Sequence, residues 1–128
     1  MKALHYQAKN FASGWLMQQS PKKWAFHPLP NAGQIAPIFN TLIDDFNEDH
    51  HVDLVIVGNL FEAEVETPRA DGGKGGVFQG DGRGQFTHVP ATQTGFFAAG
   101  NVRKVKAINL SGGKRGMLVA ESDGPVEL

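Results

Sequence analysis

The sequence lacks cysteine altogether among its 128 residues. Disulfide scaffolds, thiolate zinc sites and cysteine nucleophiles are therefore excluded together, while the redox compartment stays undetermined. No apolar run approaches the roughly 18 residues that a membrane-spanning helix needs. The first ten residues also contain no apolar stretch long enough for a signal peptide. As it stands, the sequence predicts neither a membrane segment nor an export signal.

A strong net charge and helical periodicity are also missing. The 12 lysines and arginines are balanced by 13 aspartates and glutamates, and the basic residues are scattered along the chain. This distribution predicts no basic patch that would bind nucleic acid or an anionic membrane. Because helical periodicity is hard to find, helix is predicted to be a minor component. The length predicts one compact domain over residues 1–128.

What the sequence does contain is a series of short apolar runs, separated by 16 glycines and 7 prolines. Runs rich in Val, Ile, Phe and Leu that end at Gly, Pro, Asn, Asp or Ser are typical of β-strands. The runs predict eight strands, at about residues 12–18, 24–29, 40–46, 53–59, 74–79, 85–90, 102–109 and 115–121. The predicted fold class is all-β.

The chain also repeats itself. The segment 24–30 matches 84–90 at an offset of 60, and 54–59 matches 117–122 at an offset of 63. Repeats of this length, with four short antiparallel strands in each, are typical of propeller blades. The prediction is two four-stranded blade-like repeats, at about 11–60 and 72–122. A β-sandwich in which the two four-stranded units pack face to face is the alternative.

Two blades do not close a propeller, which needs four to eight. An isolated pair leaves apolar faces and strand edges without partners. We therefore expect either that the chain is a piece of a longer propeller or that copies of it close into a cyclic homo-oligomer by head-to-tail contacts.

An acidic segment between two predicted strands carries the main functional signal. Side-chain oxygens occur at loop positions 1, 3, 5 and 9, which are Asp45, Asn47, Asp49 and Asp53. Because Ca²⁺ prefers six to eight oxygen ligands, this spacing predicts a calcium site to which the backbone carbonyl of His51 adds a fifth oxygen. The alternative is a solvated turn in which these side chains satisfy backbone donors. The corresponding segment of the second repeat, 107–115, has no carboxylate and ends in two cations.

These segments resemble a known family, the FG-GAP (VCBS) repeats of β-propellers, as in integrin α-chain heads and bacterial calcium-loop propellers. Residues 44–59 are similar to the acidic loop and following strand of that family, and 16–30 and 77–90 to its hairpin. The resemblance implies a calcium-binding module in an extracytoplasmic setting, although the chain shows no signal for export. Loop position 6 is usually Gly in the family, whereas here it is His50.

The predicted function is a non-enzymatic, calcium-stabilised module that binds a protein or a carbohydrate. One alternative is a hydrolase or lyase that acts on polysaccharide with a pair of carboxylates. Another is a purely structural oligomeric fragment. No partnership with nucleic acid or with a membrane is expected.

Overall fold

The computed structural model describes residues 4–122, 124 and 126–128. Residues 1–3, 123 and 125 of the predicted domain lie outside this range. Nine strands form: β1 Gly14–Ser20, β2 Lys23–Pro28, β3 Asn40–Asp44, β4 Asp53–Val57, β5 Gly76–Gly80, β6 Phe86–Val89, β7 Val102–Asn109, β8 Arg115–Glu121 and β9 Val126–Glu127. The only α-helix among the described residues, α1 (Ala91–Thr94), is a single turn, and short 3₁₀ turns cover Asn31–Gln34 and Ser111–Gly113. The prediction of an all-β fold is confirmed.

All eight predicted strands are present, with ends displaced by at most two residues. The ninth, β9, follows the last predicted strand and was not expected. Among the described residues, no helix is both long and apolar enough to cross a membrane.

The strands group differently from the prediction. They form a two-stranded sheet β1-β2, a four-stranded sheet β3-β4-β5-β6 and a three-stranded sheet β7-β8-β9, with every pairing antiparallel. The four-stranded sheet, here called the central sheet, thus takes two strands from each predicted repeat. The prediction of four strands of one repeat in one sheet was wrong, and two four-stranded sheets do not pack face to face in the described part of the chain. The physical reason is that the order of strands along the chain does not determine which of them hydrogen-bond in one sheet. A hairpin followed by a strand pair in each predicted repeat is compatible with several groupings.

The central sheet is covered on both faces, which explains why its strand β4 is buried along its whole length. On one face, Leu54, Ile56 and Phe78 form a core cluster against which Trp15 of the hairpin packs. On the other face, Val57 joins a second cluster with Val102, Val105 and Val119 of the β7-β8 pair. Successive side chains of a strand point to opposite faces, so the continuous apolar run 54–57 supplies both clusters.

The long connection from β4 to β5 is anchored by one polar side chain. Asn59 is fully buried. Its Nδ2 donates to the carbonyl oxygens of Gly73, Ala99 and Gly100 at 2.9–3.0 Å, while its Oδ1 accepts the N–H of Gly73 at 2.9 Å. One amide therefore holds together three backbone segments that belong to no sheet.

Candidate metal centre

The acidic loop lies between two paired strands, as its sequence predicts. Strands β3 and β4 pair from Asn40↔Val57 to Asp44↔Asp53, so the loop connects the last pair of this register. Because β4 is buried and β3 is hydrogen-bonded to it, both ends of the loop are held by the central sheet. The sheet therefore fixes where the loop begins and ends.

Two loop residues adopt the left-handed region, which winds the loop tightly. Glu48 has φ 62° and His50 has φ 66°, and these are the only non-glycine residues with positive φ in the described part of the chain. Position 6 of the loop thus takes the conformation that favours glycine, although histidine occupies it.

The carboxylate of Asp45 lies inside this loop and accepts hydrogen bonds from its backbone. Its Oδ1 accepts the N–H of Asp49 at 3.2 Å and its Oδ2 accepts the N–H of His50 at 2.8 Å. Asn47 supports the same turn, since its Oδ1 accepts the N–H of Asp49 at 3.1 Å. Asp and Asn side chains commonly satisfy backbone donors a few residues ahead in this way.

Asp49 occupies the middle of the loop. Its Oδ1 accepts the N–H of His51 at 2.8 Å, and its Oδ2 accepts the amide of Asn47 at 2.8 Å and that of Gln79 at 3.3 Å. The backbone hydrogen bond from His51, followed by the Asn47 amide, lowers the pKa of the Asp49 carboxyl below its ordinary value. These donors favour the ionised form, which is also the form that binds a cation.

Asp53 is the buried member of the set, with 3 % of its surface exposed. Its Oδ2 accepts the N–H of Phe46 at 3.2 Å, and its Oδ1 accepts the N–H of Gly80 at 3.0 Å. The same carboxylate therefore ties the start of the loop to strand β5.

His51 lies at the edge of the loop. Its imidazole Nδ1 is 3.6 Å from Oδ1 of Asp49, and its ring lies so close to Gly82 that a Cβ there would clash with it. The loop thus contacts the β5-β6 turn through His51 as well as through Asp53.

The five predicted residues are together in one loop, and the donor chemistry of this set suits Ca²⁺, since it consists of hard oxygens. Their side-chain oxygens, however, are turned towards the N–H groups of the loop itself. No group of three or more His, Cys, Asp or Glu side chains in metal-binding proximity occurs among the described residues. Because each carboxylate or amide oxygen has two lone pairs, an oxygen of Asp45, Asn47 or Asp49 can accept a backbone N–H and still ligate a cation.

A cation from the second predicted repeat reaches the loop. The Nη2 of Arg115 pairs with Oδ2 of Asp44, and its Nη1 donates to the carbonyl oxygen of Asp45 at 3.3 Å. The segment to which Arg115 belongs is the counterpart of the acidic loop. That counterpart closes as a short turn, in which the N–H of Leu110 donates to the carbonyl oxygen of Lys114 at 2.8 Å.

Sequence reasoning missed the cleft beside the loop, which has a volume of about 490 Å³. It lies between β5-β6 and β8, and Asn47 and Asp53 line it together with Gln79, Met117 and Arg115. A second cleft of about 390 Å³ is lined by the glycine-rich segment 72–76 and by Phe96 and Phe97. Asp53 is the single carboxylate that lines either cleft. No local signal marks these clefts in the sequence, because residues far apart in the chain form them.

The two tryptophans have different surroundings. Trp15 stacks on His27, with ring centroids 5.4 Å apart, and meets Phe86 edge-on at 4.9 Å. Trp24 is 58 % exposed near the end of the hairpin. Trp15 is therefore a packing residue, while Trp24 belongs to the surface.

No protein-family model, curated protein or solved structure matches the chain.

Proposed function

We propose that this chain is a calcium-stabilised module of the β-propeller type, built from repeats of the FG-GAP (VCBS) kind, and that it acts without catalysis by presenting loops to a protein or a carbohydrate. The observation that carries the proposal is the acidic loop. Its oxygen-bearing residues stand at alternate positions, and it connects two strands of a four-stranded antiparallel sheet.

In this proposal Asp45, Asn47, Asp49 and Asp53 supply side-chain oxygens to Ca²⁺, and the carbonyl of His51 supplies one more. The three aspartates of this set lie within nine residues and repel one another, and a bound dication removes that repulsion. Because the loop joins β3 to β4 and contacts β5 through Asp53, a cation held there would stabilise the central sheet.

Two features of the structure support the propeller part of the proposal. Four short antiparallel strands in sequential order form the central sheet, which is the composition of a propeller blade. Smaller antiparallel sheets then pack on both of its faces, as neighbouring blades do.

Thermal unfolding with added Ca²⁺, with Mg²⁺ and with a chelator tests the proposal. A ligand that binds only the folded state at about 100 times its dissociation constant adds about 2.7 kcal/mol to the free energy of unfolding. The midpoint is expected to rise with Ca²⁺ and to stay unchanged with Mg²⁺, whose smaller octahedral shell suits this loop poorly. An equal midpoint in excess Ca²⁺ and in chelator would contradict the proposal.

Substitutions in the loop test whether the calcium-induced rise of the unfolding midpoint comes from this site. Asp49→Asn and Asp45→Asn are each expected to reduce the calcium-induced rise, since each removes one anionic ligand. Asp71→Asn removes a carboxylate that pairs with Arg69 outside the loop and serves as the matched control, with the full rise retained. A rise that persists in both loop variants would place the calcium elsewhere on the chain.

A further inference from the structure

Each of the smaller sheets covers only half of one face of the central sheet. The β1-β2 hairpin packs where Trp15 meets Phe86 of β6, over the half formed by β5 and β6. The β7-β8 pair packs through Val105 and Val119 on Val57 of β4 and on Leu42 of β3, over the other half of the opposite face. Each face therefore keeps a part without a covering sheet, here called its open half: β3 on the hairpin face, since β4 is buried along its length, and β5 and β6 on the opposite face.

Apolar side chains mark both open halves. On the hairpin face, Ile43 of β3 is 63 % exposed although it pairs with the buried Leu54. On the opposite face, the cleft of about 490 Å³ is lined by Val77 and Val89 and reaches the edge of β8 at Met117. The two open halves lie diagonally opposite each other across the central sheet.

The hairpin carries a matching apolar surface on its outer side, and the β7-β8 pair carries one exposed leucine on its own. On the hairpin, Leu16, Trp24 and Phe26 are 64 %, 58 % and 41 % exposed. They alternate with the residues that face the central sheet, as strand geometry requires. On the outer side of β7-β8, Leu118 is 37 % exposed and lies opposite Lys106 in the register.

The exposed area is of the size that an interface needs. Leu16, Trp24, Phe26, Ile43 and Leu118 together expose about 500 Å² of apolar surface, if each large side chain offers roughly 150–250 Å² when fully exposed. A stable interface buries about 800 Å² on each partner. Four of these side chains, all except Leu118, belong to the same partner and provide about half of its share before any polar rim is added.

We propose that the β1-β2 hairpin of a second copy of this chain occupies the cleft and extends the β7-β8 sheet, completing a four-stranded sheet like the central one. Leu16, Trp24 and Phe26 of that copy then pack on Val77 and Val89. In return, the outer side of β7-β8 packs on the open half of the second copy, around its Ile43.

The central sheet provides the register of this pairing. In it, β4 pairs with β5 at Leu54↔Phe78 and Val55↔Val77. The repeat offset of 63 places Met117 and Leu118 of β8 at the positions of Leu54 and Val55.

The hairpins supply the other half of the register. Phe86 pairs with Gly80 in one hairpin, and Phe26, at the corresponding position, pairs with Leu16 in the other. Leu16 therefore corresponds to Gly80, and counting back three residues places Ser13 at the position of Val77. The expected pair between copies is Leu118 with Ser13 of the second copy. Strand β9 pairs with Val119 and Ala120 on the same edge of β8, and the side chain of Leu128 lies beside Gly116, so the incoming strand of the second copy takes the place of this terminal segment.

The contact joins two different surfaces of the same chain, so it is head-to-tail and closes into a ring when successive rotations complete a turn. The inference rests on the propeller-type architecture proposed above and is independent of the calcium site.

Sedimentation velocity of the full chain tests the interface. The unmodified chain is expected to form a species larger than a monomer. Leu16→Glu/Trp24→Glu and Leu118→Glu are each expected to be folded monomers, because the charges are placed on surfaces that the isolated chain exposes. Val65→Glu, at a fully exposed apolar residue, is the control and should assemble like the unmodified chain. An unmodified chain that stays monomeric at high concentration would overturn the inference.

Mixing the two blocked variants tests the head-to-tail arrangement. The hairpin variant keeps an intact β8 edge, and the Leu118→Glu variant keeps an intact hairpin, so their mixture should form a heterodimer that grows no further. A mixture that remains monomeric would rule out this arrangement.

A disulfide tests the register, since the chain has no cysteine of its own. Ser13→Cys mixed with Leu118→Cys should cross-link under mild oxidation, whereas Ser13→Cys mixed with Lys106→Cys, one strand further from the edge, should not. Equal cross-linking in both mixtures would contradict the register. All experiments are run with Ca²⁺ and with chelator. A monomer whose unfolding midpoint rises with Ca²⁺ overturns only the interface, and an assembly whose midpoint is the same in Ca²⁺ and in chelator overturns only the metal site.

Discussion

Arg115 of β8 pairs with Asp44 at the end of β3, so a cation from a distant strand contacts the residue directly before the acidic loop. Both side chains are about half exposed, at 48 % and 41 %. Such pairs contribute little to stability in water, because solvent screens the charges and two long side chains are immobilised.

Arg115→Ala is therefore expected to lower the free energy of unfolding by about 0.2–1 kcal/mol at low salt, and by less at high salt. Urea unfolding at two salt concentrations measures this. Arg115→Lys keeps the charge and should recover part of the loss. A cost that is large and independent of salt would show that Arg115 acts by packing on Phe46, which lies 6.0 Å from its guanidinium carbon.

Asn59→Ala is expected to cost about 3–5 kcal/mol, since it strips partners from several buried backbone groups and each such group costs about 1–3 kcal/mol. The groups are the N–H of Gly73 and the carbonyls of Gly73, Ala99 and Gly100. Asn59→Asp should also be severe, because a carboxylate oxygen then faces carbonyl oxygens. Asn109→Ala, at an exposed asparagine of β7, is the control for urea unfolding and should stay within about 0.5 kcal/mol.

His50→Gly is expected to stabilise the protein by about 1 kcal/mol, because glycine adopts a φ of 66° without the steric cost that a side chain carries. His51→Gly, at a neighbouring position without positive φ, should instead destabilise by loosening the unfolded chain. The sign difference between the two variants in urea unfolding is the measurement. If both variants destabilise equally, His50 makes contacts that outweigh its backbone strain.

Acid should weaken the β5-β6 turn. The N–H groups of Gln85 and Arg83 donate to Oδ1 of Asp81 at 2.9 Å and 2.8 Å, and these bonds lower the pKa of its carboxyl below the ordinary 3.8. A group whose pKa is lowered by folding contributes stability above its unfolded pKa and loses it as the pH falls through the folded value.

Asp81→Asn should therefore flatten the decrease of the unfolding midpoint below about pH 4, as followed by circular dichroism across an acid series. Glu66→Gln removes one surface carboxylate elsewhere and controls for the change of net charge. An acid series in which Asp81→Asn loses stability as steeply as the unmodified chain would contradict this role.

The sequence predicted the strands well because their ends are marked locally. Gly and Pro interrupt the apolar runs, and alternation of side chains is sufficient to recognise a strand such as β7. The acidic loop was placed correctly between two strands for the same reason, since Leu54 to Val57 follow it directly.

Sheet membership could not be predicted in this way. Strand β4 pairs with β5 across the connection 58–75, and nothing in the residues of either strand excludes the other grouping. What holds the connection in place is Asn59, a single polar residue after a buried run, whose partners lie up to 41 positions away in the sequence. The directions of the side chains in the loop could not be predicted either. They depend on which backbone N–H groups point into the loop, and the positive φ angles of Glu48 and His50 determine this.

Since the central sheet takes two strands from each half of the chain, neither half contains a complete four-stranded layer. A fragment that ends before residue 62 has β3 and β4 without their neighbours, and a fragment that begins there has β5 and β6 without theirs. We therefore expect the two predicted repeats to depend on each other for folding. We expect separate halves to lack the native central sheet and to recover it only on association, so a cut in the connection should yield complementary fragments rather than two small domains.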